Sequence, residues 1–255
     1  LFVLNYHPEK EAAEIFEAYR RFDEERCLPL GISRGPHSGV RQRDRKLKLG
    51  YVSPDFRSHS VRHFLEPLLE YHDKNVVEVY AYAELKRDDD VTARYRRHVD
   101  HWVLTRQLDD GALAERIRAD GIDILVDVAG HTAGNRLGVF ARKPAPVSVS
   151  WLGFGYTTGL SAIDYFLTDE TSVPPGYEGI FSEAPWRMAT PALVYRPAAG
   201  MGHPGPLPAL ERKHITFGTL TRAIRLNDRV IALWSEILKR VPGSRLVIDA
   251  GKWTA

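Results

Sequence analysis

The feature that most constrains this chain is an alternation of short apolar runs and helix-patterned stretches beginning at Leu47. Runs rich in β-branched and aromatic residues recur at Leu47–Val52, Val76–Ala83, His101–Leu104, Ile122–Val128, Val147–Leu152 and Ile163–Leu167. Between several of them the apolar spacing becomes helical. Ser60 is placed to cap a helix through Tyr71, and Asp109 or Asp110 another through Ala119 that Gly121 ends. Strands that alternate with helices imply an α/β fold, a mainly parallel sheet covered on both faces. The run Ile122–Val128 reads as a strand buried on both sides.

The flanks break this rhythm. Glu11–Arg26 carries apolar residues at Ala12, Ile15, Phe16, Tyr19 and Phe22, the spacing of a helix with one buried face. Turn formers follow at Pro29, Gly31, Gly35, Pro36 and Gly39, a linker ahead of the first strand. From Val173 to Glu211 prolines accumulate, as expected of an interdomain connection. The strand–helix pattern then restarts with strand His214–Thr219, helix Asn227–Arg240 and strand Arg245–Ala250. The expected organisation is a helical segment and linker over 1–46, a first α/β domain over 47–195, and a connection with the opening of a second over 196–255. The chain begins with Leu1 and stops just after a strand, so it is read as an excerpt of a longer protein.

Composition narrows the function classes. A net charge of +2 over 255 residues gives no nucleic-acid footprint, and the mixed run Arg41–Lys46 reads as a solvated linker. One cysteine, Cys27, excludes an intrachain disulfide framework and a cysteine-based zinc cage, which suits a reducing, cytoplasmic compartment. No apolar run reaches the roughly 18–20 residues of a membrane span, and no signal peptide is visible.

Four loops carry the candidate chemistry. Ser53–His59 leaves the carboxyl end of the first strand, where open α/β sheets bind ligands. That position suits Asp55 and His59, although Asp55 and Ser60 also fit plain turn and cap roles. His59 and His63 stand four apart but lack the H-E-x-x-H pattern of a zinc helix. Gly130–Arg136, with Gly130 and His131, follows the most buried strand and reads equally as a ligand loop or a turn. In Trp151–Gly159 the glycines do not spell G-x-G-x-x-G and a strand follows, which argues against a nicotinamide site. A tight turn and a ligand loop both remain open there. Arg222 and Arg225 precede a helix start, where amides and dipole favour phosphate, but exposed arginines are common in such loops. No nucleophile elbow is present around Ser161.

Seven separated blocks resemble the catalytic region of protein O-GlcNAc transferases and their plant and bacterial relatives, including the SPINDLY-like proteins. They are Leu49–Phe56 with His59, Asp120–Asp127 through Gly130-His131-Thr132, Arg142–Val147, Trp151-Leu152-Gly153 with Thr157-Thr158-Gly159, Asp164-Tyr165, Phe217-Gly218, and Leu233–Leu238 with Val241–Ser244. The resemblance covers about residues 47 to 250, and the leading helix is similar to the segment that joins such a region to upstream tetratricopeptide repeats.

This resemblance implies a GT-B architecture of two Rossmann-like domains with the active site in the cleft between them. It implies an inverting, metal-independent transfer of sugar from a nucleotide diphosphate to serine or threonine of protein acceptors. The expected donor is UDP-GlcNAc, with no further cofactor; GDP-fucose and a non-catalytic repeat-linked scaffold are the alternatives. His59 matches the family histidine near the reacting groups, and an imidazole, ordinarily titrating near 6.5, suits proton handling. Arg225 stands where the family pattern has a lysine that contacts the donor phosphates, with Arg222 beside it. Asp55, Gly130, His131, Gly153, Thr157, Thr158 and Gly159 match segments that line the cleft. The family's tyrosine-proline-glycine core reads Phe154-Gly155-Tyr156 here. Residues holding the nucleotide base and ribose are expected beyond Ala255.

Overall fold

A computed structural model describes residues 1–33, 37 and 44–249. Linker positions Gly35, Pro36 and Gly39, basic positions Arg41–Arg43 and the expected strand end at Ala250 lie outside the described residues. The chain divides into two compact units, Leu1–Phe2 with Glu11–Ala198, and Val3–Lys10 with Ala199–Ala255.

The first unit is built on a seven-stranded sheet. In chain order its elements are α1 (Ala12–Phe22), β1 (Leu47–Ser53), α2 (Arg62–Glu70), β2 (Val77–Ala83), α3 (Asp90–His98), β3 (His101–Leu104), α4 (Asp110–Asp120), β4 (Ile124–Asp127), α5 (Leu137–Ala141), β5 (Val147–Ser150), β6 (Tyr165–Asp169) and β7 (Ala184–Met188). The strand order is β3-β2-β1-β4-β5-β6-β7, and every neighbouring pair is parallel. The order reverses between β1 and β4, which makes their carboxyl ends the topological switch point where such sheets bind ligands.

Successive strand residues point to opposite faces, and the core divides accordingly. One cluster gathers Tyr80, Tyr82 and Leu125 with Leu113, Ala114 and Ile117 of α4 and Val139 and Phe140 of α5. The other gathers Val79, Ala81, Ala83 and Val126 with Leu65 and Leu69 of α2 and Val91 and Tyr95 of α3. The result is three layers, helices on both faces of one sheet. Cys27, just beyond α1, packs in the first cluster, and burial pushes its thiol up to about 12, so it is an inert apolar residue.

Cap chemistry sets α4 as expected. The Asp109 carboxylate accepts from the Ala112 N–H at 2.8 Å, and Gly121 ends the helix at φ 69°. Ser60 does not cap α2. Val61 holds that position in helical geometry without a side-chain cap bond, because the chain already winds as turns from His59. The first helix also ends sooner than its apolar spacing suggests, passing at Asp23 into a wider π turn through Cys27.

The largest departure is β7, a strand within the proline-rich stretch read as a connection. It is the edge of the sheet, where Pro185 removes one donor from a ladder with an open side, the setting in which strands tolerate proline. Arg45, read as part of a solvated run, is instead paired with Asp123 at 2.5 and 2.6 Å.

The second unit has α6 (Pro208–Arg212), β8 (Thr216–Thr219), α7 (Asp228–Arg240) and β9 (Arg245–Ile248). Its two strands pair in parallel. Asn227 caps α7 by accepting from the Val230 N–H at 3.1 Å. Ile231, Leu233, Val247 and Ile248 are exposed. Among the described residues, no helix is long and apolar enough to cross a membrane.

Candidate active site

Three of the four sequence-picked loops lie in the first unit, at the carboxyl ends of the adjacent strands β1, β4 and β5. The loop after β1 starts from buried Ser53, whose hydroxyl accepts from the Asp55 N–H at 3.0 Å and turns the chain sharply. The turn buries the Asp55 carboxylate. Arg57 Nη2 donates to it at 3.0 Å, and His59 Nδ1 lies 3.5 Å from its other oxygen. The Val61 N–H donates to Nδ1 at 3.4 Å. Both contacts are on the Nδ1 side of a ring that is 38% exposed, and Nε2 has no hydrogen-bond partner among the described residues. With Nδ1 accepting from Val61 and the Asp55 carboxylate beside it, the ring is held on that side, and the free Nε2, which carries the proton of the neutral ring, is oriented to handle a proton. Both nitrogens of His63 are engaged elsewhere, Nδ1 with the Arg196 carbonyl at 3.0 Å and Nε2 accepting from Arg62 Nε at 3.3 Å. Among the described residues no group of three or more His, Cys, Asp or Glu is set to hold a metal ion.

The loop after β4 is organised by Asp127, the last residue of that strand. Its buried carboxylate accepts N–H bonds from Ala129 (3.2 Å) and Gly130 (2.8 Å) and the Ser150 hydroxyl at 3.3 Å. Burial raises this carboxyl to about 7 against those bonds, and nearby Glu183 adds to the rise. Gly130 is buried at φ 52°, and a Cβ there would collide with Phe154. His131 follows, its ring edge-on to Tyr19, Phe22 and Phe154. Burial lowers its pKa, and Nε2 bonds the Thr158 carbonyl at 2.7 Å.

The loop after β5 has an exposed apex and a buried foot. Gly153 and Gly155 are exposed, whereas Thr157, Thr158 and Gly159 are buried. Gly153 stands at φ 86°, and a Cβ there would lie 2.6 Å from the Val128 carbonyl oxygen. At Gly159 it would lie 2.7 Å from the Tyr19 carbonyl oxygen. These glycines therefore let the β5 loop pack against the β4 loop and against α1. The Phe154-Gly155-Tyr156 departure belongs to the same packing, since Phe154 stacks on Tyr19 and Tyr156 meets it edge-on. The Thr157 and Thr158 hydroxyls are committed to the buried Glu183 carboxylate.

Gly130, His131, Gly153, Thr157, Thr158 and Gly159 thus form one packed assembly. Asp55 and His59 belong to the neighbouring loop, where Pro54 stands 3.0 Å from where a Gly134 Cβ would be. Arg222 and Arg225 belong to the second unit. Both are exposed in the turn before α7, and the Arg225 guanidinium lies 5.4 Å over the Tyr6 ring of the same unit. A cavity of about 180 Å³ in that unit, lined by Phe217, Trp234, Ile237, Leu238 and Leu246, is apolar space between α7 and the strands.

Sequence reasoning missed Asp127, Glu183 and Tyr19. A carboxylate closing the most apolar strand was a usable signal for Asp127. Glu183 had none, and for Tyr19 the helical spacing marked a buried face but not its partners, which are far away in sequence.

The chain is similar to known proteins over almost its whole length. It is 35% identical over 97% of its residues to a Petunia hybrida protein described as a probable UDP-N-acetylglucosamine–peptide N-acetylglucosaminyltransferase SPINDLY. The Arabidopsis thaliana protein of the same description is 36% identical over 97% of this chain. The chain spans 27% and 28% of those two relatives' own lengths. The solved structure of a Thermobaculum terrenum O-GlcNAc transferase mutant superposes with a TM-score of 0.88 at 34% identity, covering 97% of this chain and 47% of that one. This match confirms the α/β fold of GT-B type. The model of glycosyl transferase family 41 matches residues 36–194, the stretch that holds all three loops of the first unit, and the chain belongs to that family.

Proposed function

We propose that the protein carrying this chain transfers N-acetylglucosamine from UDP-N-acetylglucosamine to serine or threonine hydroxyls of other proteins, with inversion. The observation that carries this reading is the similarity, over 97% of the chain, to relatives described as UDP-N-acetylglucosamine–peptide N-acetylglucosaminyltransferases. The three loops gathered at the switch-point edge of the sheet support it, because that edge is where α/β sheets hold ligands.

In this reading His59 is the residue nearest the reacting groups. Asp55 holds the Nδ1 side of its ring, and Nε2 is left to meet a hydroxyl or a leaving group. Gly130, His131 and the apex at Gly153 line the substrate side, and the buried foot at Thr157, Thr158 and Gly159 holds that apex. A departing nucleoside diphosphate builds negative charge, which Arg222, Arg225 and the amides at the start of α7 would offset. An arginine in place of a lysine keeps the charge but adds a planar fork able to grip two phosphate oxygens. Protein acceptors, a position downstream of tetratricopeptide repeats and a cytoplasmic location complete the proposal.

The test is nucleotide release and label transfer by the complete gene product, with UDP-GlcNAc, UDP-glucose and GDP-fucose compared and Arg225→Ala alongside. Release from UDP-GlcNAc alone, lowered about 100- to 1,000-fold in the mutant, is expected, the size seen when one charge-stabilising donor is lost. Release from GDP-fucose instead would reassign the donor. No release from any donor, even with candidate acceptor proteins, would replace the transferase by a scaffold.

A further inference from the structure

Glu183 lies just before the edge strand β7, outside every loop singled out in the sequence, yet it is 2% exposed. Its carboxylate is surrounded by donors from the foot of the β5 loop. The Thr157 hydroxyl donates to one oxygen at 2.5 Å, while the Thr158 N–H (2.8 Å) and the Thr158 hydroxyl donate to the other. The two hydroxyls in turn accept backbone N–H groups. Gly159 and Ser182 donate to Thr157 at 3.0 and 3.1 Å, and Leu160 donates to Thr158 at 3.2 Å. A buried carboxylate therefore holds both threonine hydroxyls and the Thr158 N–H, and through the Thr157 hydroxyl the Gly159 N–H.

The turn passes this order on. The Thr158 carbonyl faces His131 Nε2 at 2.7 Å, and a carbonyl only accepts, so Nε2 carries the proton. Burial among aromatic rings disfavours the imidazolium. A neutral imidazole with its proton on Nε2 has a lone pair on Nδ1, and this nitrogen then acts as an acceptor.

We propose that Glu183 is a positioning residue that, through Thr158, locks His131 in the Nε2–H tautomer and so presents Nδ1 as an acceptor for a hydroxyl or N–H of the sugar substrate. The inference rests on the reading of the β4 and β5 loops as a sugar site, but the lock itself is a property of the folded chain.

Two substitutions separate the lock from bulk packing. Glu183→Gln keeps an oxygen facing both Thr158 donors and loses only the acceptor for the Thr157 hydroxyl. Glu183→Ala removes both. The readout is the imidazole ¹⁵N signature of His131 in histidine-labelled complete protein, assigned by its loss in His131→Asn, with thermal unfolding as the check on folding. The wild type and Glu183→Gln are expected to show one lone-pair nitrogen and one protonated nitrogen. Glu183→Ala is expected to average the two, with kcat/KM for transfer lowered about 10- to 100-fold by the misplaced group. If Glu183→Ala does not fold, Thr158→Val serves, since it deletes the hydroxyl while keeping the backbone N–H and carbonyl. A pure Nε2–H tautomer in folded Glu183→Ala or Thr158→Val would overturn the proposal. An averaged tautomer in a protein whose wild type transfers no sugar would uphold the lock and sink the transferase reading instead.

Discussion

At Gly153 the missing side chain is the point. Its φ of 86° already disfavours an L side chain, and an added Cβ would press on the Val128 carbonyl oxygen at 2.6 Å, a backbone atom that cannot swing aside. Gly153→Ala is expected to destabilise the protein by about 2–4 kcal/mol in denaturant unfolding. His59 is a different case, because its ring is over a third exposed and its energetics lie in chemistry. His59→Ala should lower kcat by about 10²- to 10⁴-fold at unchanged unfolding midpoint, the range of a lost acid or base. Asp127 gives a pH signature. Its carboxyl is raised in the folded state to about 7, so the folded protein binds this proton more tightly than the unfolded chain does. Its contribution is therefore complete below the ordinary carboxylate range and is lost as pH rises toward and through 7. The stability of wild type relative to Asp127→Asn should fall between pH 4 and 8, by on the order of 2–4 kcal/mol. A rising difference would show that the fold favours the carboxylate form, and a flat one that it favours neither; either would overturn this assignment.

At the scale of an element, α4 and α2 make a matched pair. α4 begins at a carboxylate that accepts a helix N–H and ends at a left-handed glycine with nothing within 4 Å of its absent Cβ. Asp109→Ala is expected to cost about 1 kcal/mol from the lost cap. α2 has no side-chain cap, so Ser60→Ala should stay within about 0.5 kcal/mol of wild type by thermal or urea unfolding. The elements also explain how remote chemistry is joined at the carboxyl edge. Arg136, at the end of the β4 loop, pairs with Glu84 after β2 and with Asp110 at the start of α4, each at 2.6 Å. Nearly buried, it ties the ends of three strands together from one side chain.

At the scale of the molecule, the leading helix belongs to the sheet-bearing unit. Tyr19 of α1 is fully buried against His131, Phe154 and Tyr156, and the Asp23 carboxylate accepts from the Ser161 N–H at 3.1 Å. Tyr19→Ala should cost about 3–5 kcal/mol, as for other large core aromatics, and loosen both candidate loops to limited proteolysis. The second unit has a different standing. Among its described residues a two-stranded sheet and α7 leave Leu220, Ile224, Ile231 and Leu233 exposed, too little enclosed surface for independent stability. A piece spanning residues 199–255 alone is expected to show no cooperative thermal transition by circular dichroism.

Period and punctuation made much of this legible in the sequence. The apolar runs placed six strands of the first sheet to within a few residues, and Asp109, Gly121 and Asn227 marked their helix ends, because these signals act over one turn of chain. The candidate loops were legible for the same reason, as strand ends in a parallel sheet. Other features depended on contacts between distant residues. Pro185 argued against a strand until the fold put β7 at an edge, where a missing donor costs little. Glycines at 130, 153 and 159 left the turn and ligand-loop readings both open in the sequence, and the fold presses their backbones against Phe154, Val128 and Tyr19. Glu183 carried no local sign at all, since a lone carboxylate is ordinarily solvated. Only the packing of residues 25 and 26 positions apart in sequence buries it against Thr158 and Thr157, and a buried charge must find donors or neutralise.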